Sequence, residues 1–104
     1  MLEVNKITLR KRRNQQIGIT FYEEESGIPS GLIYSIEQGS LASLANLQQG
    51  QQIISINGQS VDTNDDIIQT IQNLAGSLTL ELLNTVEVRF YDIFFLIFIF
   101  VHDQ

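Results

Sequence analysis

The side chains able to do covalent chemistry in this chain are few. His102 is the only histidine, it lies at the tail, and cysteine is absent. Disulfides and thiolate metal sites are thereby excluded, which is compatible with a reducing compartment. Ser26, Ser30, Ser35, Ser40, Ser43, Ser55, Ser60 and Ser77 have no credible general base within the domain. Asp65 and Asp66 are adjacent on a helical pattern and so point in different directions. They read as residues favouring the positive end of a helix dipole, not as an acid/base pair or a metal site. Glu23-Glu24-Glu25 reads as a solvated loop, with weak calcium contact a remote alternative. No enzyme activity, cofactor or metal is expected. What remains is anion recognition. The basic run Arg10-Lys11-Arg12-Arg13 leads through Asn14-Gln15 into Gln16-Ile17-Gly18-Ile19-Thr20-Phe21. A glycine there permits a positive φ or a close backbone approach. Such a turn aims consecutive N–H groups at one point and makes a small anion site. We take it to hold the terminal carboxylate of a peptide that pairs with the strand that follows. From the hexapeptide alone, a glycine that only relieves a tight bend is the simpler reading.

The bulk properties bound this reading. The chain has 104 residues, 43% hydrophobic and 17% charged, with a net charge of -6. That is one globular domain able to bury a core without staples. The acidic balance argues against a nucleic-acid partner. It hides an asymmetry, because five of the six basic residues lie within the first 13 positions. The N-terminus lacks the apolar core of a secretory signal, so a cytoplasmic location is expected, at the membrane periphery if the basic run meets lipid.

The alternation of residue types predicts the elements that must position the loop. Strands are expected over Glu3–Arg10, Ile17–Tyr22, Leu32–Ile36 and Gln52–Ile56, with a short return strand at Gln59-Ser60-Val61. Asn57-Gly58 is the strongest short hairpin signal available. The segment from Glu23 to Gly31 reads as the most flexible loop. Ser40 is positioned to cap a short helical turn over Leu41–Ala45, which Asn46 can end in a left-handed conformation. Thr63 and Asp66 have capping-box spacing, and Ile67, Ile68, Ile71 and Leu74 form the apolar stripe of the one long helix. Leu78, Leu80 and Leu82 mark a last strand. The order of elements gives an α+β class: a small antiparallel sandwich or partly open barrel of five to six strands, capped by two helices.

Over residues 3–83 the chain resembles a PDZ domain. Gln16-Ile17-Gly18-Ile19 stands where that family has its Gly-Leu-Gly-Phe carboxylate loop. Gly39-Ser40-Leu41-Ala42 with Asn46-Leu47-Gln48-Gln49-Gly50 is similar to the family's Gly-Ser-Pro-Ala and Gly-Leu-x-x-Gly-Asp segment. Ile53 to Val61 resembles Ile-Leu-x-Val-Asn-Gly-x-x-Val, and Thr63 to Leu74 takes the place of the second helix. The resemblance implies a module that binds partner C-termini as an added strand between its second strand and second helix. It implies that the N–H groups of Ile17, Gly18 and Ile19 hold the carboxylate, with Arg12 or Arg13 assisting through water. Thr20 and Phe21 would continue the main-chain pairing. Ile17, Ile19, Phe21 and Ile71 would line the pocket for a terminal Val, Leu or Ile, and Asn64 and Ile68 would face the residue two back. The departures are Gln16 for the first loop glycine, Asn46 for a glycine, Gln51 for an aspartate whose local contact would be lost, and Asn64 where members that read Ser or Thr often have His.

Residues 1–84 are therefore expected to form the PDZ-like domain. Residues 85–104 are a hydrophobic extension, with nine uninterrupted apolar residues from Ile93 to Val101, four of them Phe. That is too short to span a bilayer, which takes about 20. It reads as an added element, the start of a membrane segment or, preferred here, sequence foreign to the domain. Three functions compete: a scaffold or adaptor module, the regulatory module of an HtrA-type protease, and a membrane-surface module using Arg10, Lys11, Arg12 and Arg13. The first strand preceding the glycine loop favours the adaptor, because the resemblance extends to bacterial protease modules that are often circularly permuted.

Overall fold

The computed structural model describes residues 2–85, and the extension beyond them lies outside the described residues. The elements are β1 (Leu2–Lys11), β2 (Ile19–Phe21), β3 (Ile33–Ile36), α1 (Leu41–Leu44), β4 (Gln52–Ile56), β5 (Gln59–Ser60), α2 (Asn64–Asn73) and β6 (Gly76–Thr85). They form a four-stranded sheet in the order β1-β6-β4-β5 and a two-stranded sheet of β2 and β3. All pairings are antiparallel. This is the expected α+β class, an open two-sheet arrangement with two helices.

The core follows from the alternation in β6. Leu78, Leu80 and Leu82 face inward and meet Leu9, Ile33, Ile53 and Ile56 from the strands and Ile67 and Ile71 from α2. The residues between them take polar partners: Thr79 Oγ1 lies 2.9 Å from Thr8 Oγ1, and Glu81 accepts from Ser55 Oγ at 2.5 Å. β1 and β6 run longer than their hydrophobic patterns suggest. They pair without a break from Leu2 opposite Thr85 to Lys11 opposite Gly76, so main-chain bonding carries the strands past the residues that need burial. β2 is shorter than expected, because Gly18 takes φ +88° and ends the extended geometry.

The local punctuation behaves as the residue types dictate. Ser40 Oγ accepts from Ser43 N at 3.2 Å, and Thr63 Oγ1 accepts from Asp66 N at 3.0 Å, capping both helices. The Asp66 carboxylate, however, accepts from Asp62 N at 3.3 Å instead of closing a reciprocal box on Thr63. Asn46 and Asn57 take φ values of +62° and +50°. Gln51 corrects an expectation. Its side chain reaches back and accepts from Gln48 N at 2.8 Å, so the turn keeps a polar tie that a shorter aspartate was thought necessary to make.

Two sets of contacts fix α2, one to the small sheet and one to the end of β1. At its start, Asn64 Oδ1 accepts from Gly31 N at 2.7 Å and Asn64 Nδ2 donates to Tyr22 O at 2.8 Å. Its own N–H donates to Glu24 Oε2 at 2.9 Å, and Ser30 Oγ donates to Glu24 Oε1 at 2.7 Å. Ile28 packs with Tyr22 and Leu32 in a satellite cluster. The loop expected to be most flexible is thus fastened at both ends. At the other end of α2, Lys11 is only 3% exposed, and its Nζ donates to Leu74 O at 2.9 Å and to Arg12 O at 3.3 Å. A cation on the last carbonyls of a helix is favoured by the dipole. Lys11 is therefore withdrawn from the basic patch assigned to it above, leaving Arg10, Arg12 and Arg13 exposed.

The hydrogen bond from Ser30, and then that from the Asn64 N–H, hold the Glu24 carboxyl below the ordinary glutamate range. A folded-state pKa below the unfolded one gives stability that is complete above the unfolded value and lost as pH falls through the folded value. Glu24→Gln should flatten the acid limb of a Tm-against-pH curve as pH falls below the ordinary glutamate value, and the Glu24 side-chain carboxyl should titrate by NMR below the ordinary range. A midpoint within that range would show that the two bonds do not persist in solution.

Candidate peptide-binding site

The groove grows out of the pairing of β2. Ile19 lies opposite Ile36 and Thr20 opposite Ser35, with an irregularity before Phe21 meets Ile33. Glu37 N donates to Gly18 O at 2.9 Å and Tyr22 N to Leu32 O at 3.0 Å. Bonds flanking a pair in this way make it a non-hydrogen-bonded pair. Ile19 and Phe21 therefore turn their own N–H and C=O groups away from β3, and Thr20 spends its main chain on β3. That corrects the expectation that Thr20 continues pairing with a ligand: the residues with a free main-chain edge are Ile19 and Phe21, because the ladder alternates.

The loop before β2 is held by its carbonyls. Ala42 N donates to Ile17 O at 2.9 Å, as Glu37 N does to Gly18 O. No described residue accepts from the N–H of Ile17 or of Gly18. A Cβ on Gly18 would collide with Ser40 Cβ and lie 2.5 Å from Ser40 Oγ. Close approach to the start of α1 and a left-handed φ both require glycine here.

Beside this edge runs a cavity of about 430 Å³, lined by residues 15–21 and 35–37 and, from α2, by Ile68, Ile71 and Gln72. Gln16, Ile17, Gly18, Ile19, Thr20, Phe21, Ile68 and Ile71 are brought together as the sequence suggests. Arg12 and Asn64 are not among the lining residues. Arg12 sits in the turn before the loop, where its N–H donates to Gln15 Oε1 at 2.8 Å, and the Asn64 amide is engaged with Gly31 and Tyr22. Gln15, Ser35, Ile36, Glu37 and Gln72 were missed. Gln72 could have been found, since it follows Ile68 by four residues on one helix face. The β3 residues depend on pairing that no local pattern reveals.

The arrangement suits an extended chain end. Two outward main-chain positions offer strand pairing, unspent N–H groups at one end suit an anion, and isoleucines from β2 and α2 suit an apolar side chain. Among the described residues, no group of three or more His, Cys, Asp or Glu side chains could hold a metal ion.

Comparison with known proteins agrees with this geometry. Two relatives, the serine protease HTRA4 of Mus musculus and the serine protease HTR4 of Rattus norvegicus, are each 33% identical over 95 residues. The match covers 84% of this chain but only 18% of either relative, so the chain spans less than a fifth of their length. The family model described as PDZ domain matches residues 6–83, from within β1 to near the end of β6. By that match and by its architecture, this chain belongs to the PDZ domain family, a family of protein-interaction modules.

Proposed function

We propose that the groove captures the free C-terminus of a partner protein as an added antiparallel strand on β2. The observation that carries this is the outward-facing main chain of Ile19 and Phe21, continuous with the unspent N–H groups of Ile17 and Gly18. The ligand carboxylate sits at those N–H groups, and the last side chain enters between Ile17, Ile19 and Ile71. That pocket is apolar and branched, so Val, Ile or Leu suits it, and a charged terminal residue would lose hydration there with no partner.

A second reading, favoured by the two serine proteases among the relatives, is that the same groove serves as the regulatory module of a protease. Strand order does not separate the readings, because those proteases align with this chain across 84% of it. Under this reading, peptides that fill the groove change the rate of a catalytic domain on the same polypeptide. Expressed with its native flanking sequence, the protein should hydrolyse unfolded casein, at a rate that shifts when a Val-terminated peptide is added. A flanking sequence without Ser, His and Asp in a catalytic arrangement would remove this reading and leave the first intact.

Isothermal titration with a peptide ending in Val tests the first reading directly. Its free acid should bind at least about tenfold more tightly than its C-terminal amide, because charge-assisted bonds to the loop are lost in the amide. Equal binding of acid and amide would refute carboxylate capture. Gly18→Ala introduces about 1–3 kcal/mol of backbone strain as well as the clash with Ser40. It should weaken the free-acid peptide strongly while the circular dichroism spectrum stays that of the parent. Unchanged affinity would show that the loop does not hold the carboxylate.

A further inference from the structure

The last residue of an added strand makes two demands at once. Its carboxylate needs the N–H groups of Ile17 and Gly18, and its side chain needs Ile71 on α2. The two groups lie a few covalent bonds apart in the ligand. Loop and helix must therefore keep a matching separation, to within about 0.5 Å. The main-chain ties of the loop run elsewhere. The Ile17 carbonyl is bonded to Ala42 of α1 and the Gly18 carbonyl to Glu37, just beyond β3. Neither tie reaches α2, and Asn64 secures only the far end of that helix.

One polar link spans the gap. Lys11, the last residue of β1, lies opposite Gly76 at the start of β6. From there its side chain reaches back to the cap of α2, where Nζ donates to Leu74 O at 2.9 Å. The same Nζ donates to Arg12 O at 3.3 Å. That carbonyl also accepts from Gln15 N at 3.1 Å, and Arg12 N donates to Gln15 Oε1 at 2.8 Å. Gln15 leads directly into the loop and lines the cavity, as does Gln72, two residues before Leu74. Among the described residues, no other hydrogen bond joins residues 12–18 to residues 64–75. Both partners of the ammonium are neutral carbonyls, although the residue is buried. Burying a cation without a carboxylate beside it is costly, and an apolar side chain of the same length would fill the space more cheaply. Packing alone does not account for a lysine here.

We infer that Lys11 is a positioning residue for carboxylate capture. Its ammonium holds the turn from Arg12 to Gln15 against the end of α2, so that the loop and the terminal pocket meet one ligand residue together. The inference rests on the strand-addition reading above. Lys11 itself is enclosed by the chain and acts through the main chain of its neighbours, not on the ligand. A side chain of equal length without the ammonium leaves Ile17, Ile71 and Leu74 packed at the core. It no longer fixes the loop relative to the helix, and the aligned bonds to the carboxylate weaken first.

The absence of cysteine makes the test specific. Lys11→Cys places a single thiol in the chain, which is alkylated in urea before refolding. Bromoethylamine restores an ammonium arm with sulfur in place of one methylene, and bromopropane gives the same arm ending in a methyl group. Both proteins are titrated with the Val-terminated peptide as free acid and as amide. The aminoethyl protein should keep the parent's acid-over-amide ratio within about twofold. The propyl protein should bind the free acid about tenfold more weakly, the worth of one charge-assisted bond, and the amide within about twofold of the parent. Lys11→Gln gives a second reading without an apolar arm, because its shorter amide cannot bridge both carbonyls. Its ratio should fall below about half that of the parent. A residue that only stabilised the fold would lower Tm and leave the ratio of the folded protein alone. A parent-like ratio in either folded variant, or a ratio lost in the aminoethyl protein, would overturn the inference. If the parent favours acid over amide and the variants do too, only the role of Lys11 falls. If the parent binds acid and amide alike, strand addition falls and the role of Lys11 with it.

Discussion

Everything in this domain turns on how the main chain of β2 divides its hydrogen bonds. Each residue of the strand carries one donor and one acceptor, and a ladder uses them on alternate sides. Thr20 faces β3, so Ile19 and Phe21 face away from it. In most sheets a further strand would meet them. Here the next element on that side is α2, which satisfies its own main chain internally and offers none to β2. The result is an edge with a helix beside it, a channel of strand width with hydrogen-bonding capacity on one wall and aliphatic surface on the other.

Such a channel is useful only if its walls stay a fixed distance apart, and the two ends of α2 show how that is achieved. Asn64 joins the helix start to Tyr22 and Gly31, and so to the end of β2 and the entry to β3. Lys11 joins the helix end to the last residue of β1 and the turn that precedes the carboxylate loop. Both ties run from a side chain to main-chain carbonyl or N–H groups, so they constrain backbone positions and not merely packing. Ile67 and Ile71 then anchor the middle of the helix in the core against Leu78, Leu80 and Leu82. Between these anchors Ile68 is carried at a set height above β2 without being needed by the core itself.

The features legible in the sequence were those whose physics is local. Thr63 and Ser40 cap helices through residues three positions away, and Asn46 and Asn57 adopt left-handed turns that their own side chains tolerate. Alternation located β4 and β6, and the stripe of isoleucines located α2. The groove residues on β2 and α2 were named through the family resemblance, since the hexapeptide by itself favoured a glycine that only relieves a tight bend. The features that escaped were those decided by a partner distant in sequence. Lys11 looked like one more cation in a solvated run until β1 carried it to the end of α2, 63 positions away. Asn64 was set against the ligand because the resemblance aligns it with the first residue of the family's second helix, and nothing nearby in the chain hints at Gly31. Gln51 was underestimated for another reason, since its extra methylene restores a contact that residue-type matching counts as lost. The assignment of Thr20 failed on parity: a strand pattern gives the period of side chains, but only the ladder register says which main-chain groups are taken.

The division of labour in the groove has a consequence for how recognition is tuned. In the proposed strand addition, the carboxylate and the ligand backbone are met by main-chain groups of Ile17, Gly18, Ile19 and Phe21, which no ordinary substitution removes. The requirement on sequence there is almost entirely negative: Gly18 must lack a Cβ, because Ser40 already occupies that space. On that proposal, discrimination among ligands rests instead on a few aliphatic side chains, and these differ in how freely they can change. Ile71 is shared with the core, so altering it to suit another terminal residue creates a cavity or a clash that costs about 1–5 kcal/mol. Ile68 is not shared to that extent, and a substitution there changes mainly what the ligand meets. In that proposal the backbone supplies the general capacity to bind and the core restricts the terminal pocket, while Ile68, 40% exposed on α2, is the groove residue that changes at least cost to the fold.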